Sequence, residues 1–102
     1  MEFEWDENKR LKTLRERKID FIDMIDLWDD PRRQEVRDLR HDYGESRFQT
    51  IGSIKFNIYF VIYTERVYED GVEVIRIISA RRANKKEREM YENRTFSARA
   101  IV

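Results

Sequence analysis

The sequence predicts an α+β fold, and three features carry that prediction. An apolar stripe at helical spacing lies near the start, β-branched and aromatic segments fill the middle, and a capped, charged helix follows near the end. The 102 residues suffice for one domain but not for two, so residues 1–102 are read as a single unit. With three glycines and one proline in the whole chain, each punctuation point is informative.

Asp6 can cap a first helix running to about Arg17, because its carboxylate can accept from unpaired backbone N–H groups. Leu11 and Leu14 are spaced for one face of that helix, and Glu7 and Lys12 for solvent. A second helix fits Asp20 to Trp28. Phe21, Met24, Ile25 and Trp28 fall at i, i+3, i+4 and i+7, and Asp29-Asp30-Pro31 stops it, since the residue before proline disfavours helical geometry. Val36 and Leu39 give a weak strand signal, and His41 to Glu45 reads as a turn around Gly44. Phe48 to Ile54 reads as a strand broken at Gly52 and Ser53. Lys55 to Glu65 is the central strand, Glu69-Asp70-Gly71 a hairpin turn, and Val72 to Ala80 a strand apolar enough to be buried on both faces. Asn84 and Glu87 have capping-box spacing for a third helix, with Met90 and Tyr91 turned inward. Residues 94–102 read as a weakly structured tail. The expected architecture is N-terminal helices, a four-stranded antiparallel sheet and a C-terminal helix, with the helices over one face.

Charged residues make up 41% of the chain, but the 13% of aromatics argues against disorder. The absence of cysteine excludes disulfides and cysteine-ligated metals, and fits a reducing compartment. No apolar segment follows a basic start, and the longest apolar run, Ile58 to Tyr63, is far short of the ~20 residues a membrane helix needs. A cytoplasmic location is therefore expected. The net charge is zero but unevenly spread. Residues 1–30 hold ten acids and six bases, and residues 76–102 hold eight bases and three acids. Local potential, not the total, attracts polyanions.

A lone His41 cannot build a zinc site, and no phosphate-cradling glycine loop exists, so neither metal nor cofactor is expected. Nothing in the sequence brings Ser79 and His41 together as a nucleophile and base. Arg76 is more informative. In a regular strand it would share a face with Ile78 and Ala80, interrupting an apolar run with a fixed charge. Such a charge needs either an acid, Glu45 or Glu65, or an open cleft. Arg81 and Arg82 follow beside a helix start, where backbone N–H groups favour anions, and arginine forks match phosphate oxygens. Glu45 and Arg47 sit two apart, as either a structural ion pair or a proton-transfer group beside a phosphate clamp. Trp5 and Trp28 read as core anchors.

Taken together, these segments resemble the BrnT family of type II toxin–antitoxin ribonucleases. The likeness is carried by Phe3, Trp5, Asp6 and Lys9, by Ile19, Phe21 and Asp30-Pro31, and by Asp42, Gly44-Glu45, Arg47 and Ile51-Gly52. It is strongest over Arg76-Ile-Ile-Ser-Ala-Arg, Ala83, Glu87-Arg88 and Tyr91. The resemblance implies a RelE-like fold and metal-free, ribosome-independent RNA cleavage that arrests growth. It also implies a ribbon-helix-helix antitoxin of the BrnA type, with operator DNA bound only through the complex, and it leaves a homodimer open. Lys9, Glu45, Arg47, Arg76, Arg81 and Tyr91 keep family-like identities. In the mechanism these suggest, Glu45 is the base, the three arginines clamp phosphate, and Lys9 or Tyr91 is the acid. The sequence departs from the family pattern at Thr13 and Glu16-Arg17-Lys18, where an asparagine and a lysine-histidine-glycine motif are usual. That departure keeps an alternative in view, a non-catalytic toxin-like module acting through its antitoxin complex. A plain nucleic-acid binder is the third reading.

Overall fold

The computed structural model describes residues 1–40 and 42–97. The expected turn residue His41 and the expected tail residues 98–102 lie outside the described residues. In chain order the elements are β1 (Glu2–Trp5), α1 (Glu7–Arg17), α2 (Phe21–Met24) continuing as a 3-10 turn (Ile25–Asp29), β2 (Gln34–Arg37), β3 (Arg47–Ile54), β4 (Asn57–Val67), β5 (Glu73–Arg82) and α3 (Lys85–Asn93). They build a five-stranded sheet in the order β1-β5-β4-β3-β2. Strands β2 to β5 are antiparallel neighbours, whereas β1 pairs parallel to β5, with Glu2 opposite Val74 and Trp5 opposite Ile77.

This corrects the expected four-stranded antiparallel sheet. The extra strand is only four residues long and joins its partner across some seventy residues of sequence, so no turn signal marks the pairing. The helices also lie on both faces of the sheet, not one. Phe21, Met24 and Leu27 pack on one face against Val61, Tyr63, Ile75, Ile77 and Ala80, with Phe3, Trp5 and Trp28 around them. Tyr91 of α3 and Phe96 pack on the other face against Val36, Ile51 and Phe60. Phe96 is fully buried and Ser97 donates to the Glu35 carbonyl at 2.9 Å, so the chain just after α3 is part of this second core rather than a loose tail.

The caps predicted at Asp6 and at Asn84 with Glu87 match the structure, and Asp20 caps the second helix as well. Asp6 accepts from the N–H groups of Asn8 and Lys9, Asp20 from Ile22, and Asn84 and Glu87 form a complete capping box. The second helix differs in its period. Buried residues fall at 21, 24 and 27, so Leu27 replaces Ile25 in the core stripe, because the last turn tightens to three residues. The break expected at Gly52-Ser53 is absent, and β3 runs straight through it. Gly52 serves close packing instead. A Cβ there would meet Leu27 Cγ at 2.9 Å and Asp30 Oδ2 at 3.4 Å. Gly52→Ala is expected to destabilise the fold by about 1–3 kcal/mol through overpacking, read as a lower urea midpoint at unchanged slope. The chain reverses at Lys55-Phe56, both at positive φ (49° and 72°), and Phe56 is fully exposed. Positive φ at both central residues suits the twist of a two-residue hairpin, but Lys-Phe lacks the usual Asn-Gly signature. Lys55 to Glu65 therefore read as uninterrupted strand. Lastly, α1 buries none of its residues, and Leu11 and Leu14 are 46% and 37% exposed.

Candidate functional site

Strand register places the predicted arginines. Arg47 on β3 lies opposite Thr64 on β4, Thr64 lies opposite Arg76 on β5, and Arg76 lies opposite Glu4 on β1. Directly opposed residues share a sheet face, so these four form one row across four strands. Arg81 joins the same face through an irregularity. Ile62 opposes Ser79 but Tyr63 opposes Ile77, which leaves Ile78 as an extra residue in β5. Residues 76 and 81 are five apart and would point to opposite faces of a regular strand. The bulge inverts the alternation, so Arg76, Ser79 and Arg81 share a face. Arg76 consequently does not share a face with Ala80, as regular alternation predicts. Bulges re-aim side chains in this way beside functional sites. The α3 core covers the β2–β3–β4 part of this face, and the row from Arg47 to Glu4 lies outside that core cluster.

Each guanidinium has an acidic partner. Arg47 Nε donates to Glu45 at 3.3 Å and its guanidinium lies 4.2 Å above the Tyr43 ring. Glu45 also faces Arg66 at 3.6 Å. Arg76 pairs with Glu4, not with Glu45 or Glu65 as the sequence predicts. The hydrogen bond from Tyr68, with Arg76 behind it, holds the Glu4 carboxyl below its ordinary pKa. Arg81 forks onto Glu87 at 2.8 and 2.9 Å and stacks 4.1 Å over Phe60. Glu87 also closes the capping box, so the start of α3 fixes the Arg81 head group.

The loop carrying Glu45 is tied down by a buried acid. Asp38 accepts from the Arg40 side chain at 2.8 Å twice and from the Tyr43 hydroxyl at 3.3 Å. These bonds, Arg40 first, hold its pKa down to about 2. Tyr43 in turn supports Arg47, so Asp38 positions the clamp from behind.

The remaining candidates separate. Lys9 lies on α1 beside a cleft that α1 forms with Ile78 and Ser79 of β5. Tyr91 belongs to the second core, where its hydroxyl donates to Asp30 Oδ2 at 2.6 Å. Burial, then the Asp30 carboxylate, pushes the Tyr91 pKa up to about 12. The structure thus gathers Glu45, Arg47 and Arg76 in and around one row, adds Arg81 farther along the same face, and sets Lys9 at its edge. Tyr91 is occupied in packing. Glu4, Asp38 and Tyr43 were missed by sequence reasoning. The alternation Glu2-Phe3-Glu4-Trp5 is a period-two signal that could have exposed Glu4.

A family model described as the ribonuclease toxin BrnT of type II toxin–antitoxin systems matches residues 5–87. The chain belongs to the BrnT family. The matched span runs from the end of β1 to the first turn of α3 and includes Lys9, Glu45, Arg47, Arg76 and Arg81, while Tyr91 lies beyond it. No curated protein matches the chain. Membership makes this a toxin-family chain whose system includes an antitoxin partner. Among the described residues, no helix is long and apolar enough to cross a membrane.

Proposed function

We propose that this BrnT-family chain is a metal-free RNA endonuclease that arrests growth, held in check by a ribbon-helix-helix antitoxin of the BrnA type. The observation that carries the reading is the bulge at Ile78, which turns Arg81 onto the face that already holds the Arg47–Arg76 row. Arg47 and Arg76 offer two forks in one row to a phosphodiester, and Arg81 adds a third cation farther along the same face.

In this mechanism the Glu45 carboxylate takes the proton of a ribose 2′-hydroxyl. The 2′-oxygen attacks the adjacent phosphorus, and the Arg47 and Arg76 guanidiniums stabilise the charge of the pentacoordinate phosphorane, with Arg81 along the strand. The bond to the 5′-oxygen breaks as Lys9 donates a proton to it. A cyclic phosphate and a 5′-hydroxyl result. Tyr91 takes no part, since its hydroxyl is committed to Asp30. The Arg76–Glu4 and Arg47–Glu45 pairs are part-exposed, and such pairs hold by roughly 0–1 kcal/mol. A phosphate can therefore displace either carboxylate.

The three ion pairs also favour a second reading, a non-catalytic toxin-like module acting through its antitoxin complex. The departures at Thr13 and Glu16-Arg17-Lys18 point the same way. Induction in cells lacking the antitoxin separates the two. The ribonuclease reading expects growth arrest with RNA loss, and cleavage of bare RNA by the purified chain undiminished by EDTA. Normal growth and intact RNA would leave the module.

A further inference from the structure

Helix α1 faces the sheet the wrong way round. A surface helix normally turns its apolar stripe to the core. Here Leu11 and Leu14 stand exposed and no residue of α1 is buried. The residues that line the cleft against β5 are Lys9, Lys12, Thr13, Glu16 and Arg17, at i, i+3, i+4, i+7 and i+8 along one polar face. Ile78 and Ser79, the bulge residue and its neighbour, form the opposite wall. The cleft has a volume of about 160 Å³. Arg17 spans it and donates to the Ala80 carbonyl at 2.9 Å, which caps the part of β5 that extends beyond β1.

The cleft brings together cations of a different standing from those of the arginine row. Arg10, Arg33, Arg40, Arg47, Arg66, Arg76 and Arg81 all stand in ion pairs. Lys9 and Lys12 take part in no ion pair among the described residues, although Glu16 lies on the same helix face one turn from Lys12. Packing does not account for the inverted helix, whose polar face and not its leucines lines the cleft against β5.

The geometry points to this cleft as a second phosphate subsite, which holds the RNA backbone one linkage away from the cleaved bond. Lys12 is its main cation, and the hydroxyls of Thr13 and Ser79 donate to the phosphate oxygens. Lys9 lies between the two phosphates, near enough to serve the leaving oxygen. Ser79 shares its face with Arg76 and Arg81, so one strand can run from the arginine row into the cleft. The inference rests on the ribonuclease reading, and it adds Lys12, Thr13 and Ser79 to the site.

The test compares Lys12→Ala with the wild-type chain on two substrates, a dinucleotide with a single phosphodiester and a longer oligoribonucleotide. Lys12 is exposed on α1 and alanine favours helix, so the variant should fold, which circular dichroism checks. The expected result is a three- to tenfold rise in KM for the oligonucleotide at unchanged kcat, with the dinucleotide unaffected. Binding of uncleavable 2′-O-methyl RNA should weaken by a similar factor, and its log–log salt slope should fall by about 0.7, the value for one single-strand phosphate contact. Equal losses on both substrates would place Lys12 at the cleaved bond and overturn the subsite. No change in oligonucleotide KM or RNA affinity would overturn it as well. If the wild-type chain cuts no RNA, the ribonuclease reading fails by itself, and the binding measurement alone then decides for or against the cleft.

Discussion

Arg76→Ala should lower kcat/KM for RNA cleavage by about 10²- to 10³-fold, the scale on which a single transition-state donor is lost. Three features make Arg76 the arginine with the largest effect. It sits centrally in the row, with Thr64 between it and Arg47 and Glu4 on its other side. Its acidic partner is part-exposed and so easily displaced, whereas Arg81 is held by a buried Glu87 that also caps α3. Its strand is braced on both sides, by β4 and by β1. The fold should barely respond, because a part-exposed pair contributes about 0–1 kcal/mol. Arg76→Lys keeps the charge but loses the fork, and should recover only part of the rate. Single-turnover cleavage of a bare oligoribonucleotide, beside a thermal melt of each variant, measures both quantities. Wild-type turnover by Arg76→Ala would take Arg76 out of the mechanism and leave Arg47 and Arg81 too far apart in register to act as one clamp.

Local signals in the sequence were read well, and distant ones were not. The caps at Asp6 and Asn84 depend on a few neighbouring residues, and each lies where the sequence predicts. The turn at Glu69-Asp70-Gly71 is equally local, with Gly71 at φ 83° and Tyr68 and Val72 closing the hairpin. By contrast, the partner of Arg76 is Glu4, seventy-two residues away on a parallel strand that no turn announces. The bulge at Ile78 is harder still. The run Ile75 to Ala80 contains no glycine to mark an extra residue, and only the register of β4 exposes it. The candidate residues were therefore legible as types, basic and acidic groups in a suggestive order. Which face each would share was not, because one inserted residue reverses every later side chain. The Lys55-Phe56 reversal failed for a related reason. Its geometry suits asparagine and glycine, and the chain adopts it with residues that read as strand.

The two cores explain why one part of the sheet is open, and they make the largest stability prediction. Phe21 anchors α2 on one face and Phe96 anchors the segment after α3 on the other, and both are fully buried. Phe21→Ala and Phe96→Ala should each cost about 3–5 kcal/mol, the usual range for a buried phenylalanine. A domain of this size has only about 5–15 kcal/mol in total, so the double variant should be largely unfolded if the sheet transmits both losses as one cooperative unit. Chemical denaturation followed by circular dichroism checks this, with the single variants showing lower midpoints at unchanged slope. A Phe96→Ala chain that melts in two steps would mean that the α3 side is a separate unit docked on a self-sufficient sheet. The distinction bears on the site. Arg81 is held by Glu87 on α3, while Arg47 and Arg76 are placed by strand register and held by Glu45, Tyr43 and Glu4, none of which lies on α3. If α3 unfolds separately, the Phe96 variant loses the Arg81 arm of the clamp and keeps the Arg47–Arg76 row. RNA cleavage should then fall no further than it does in Arg81→Ala.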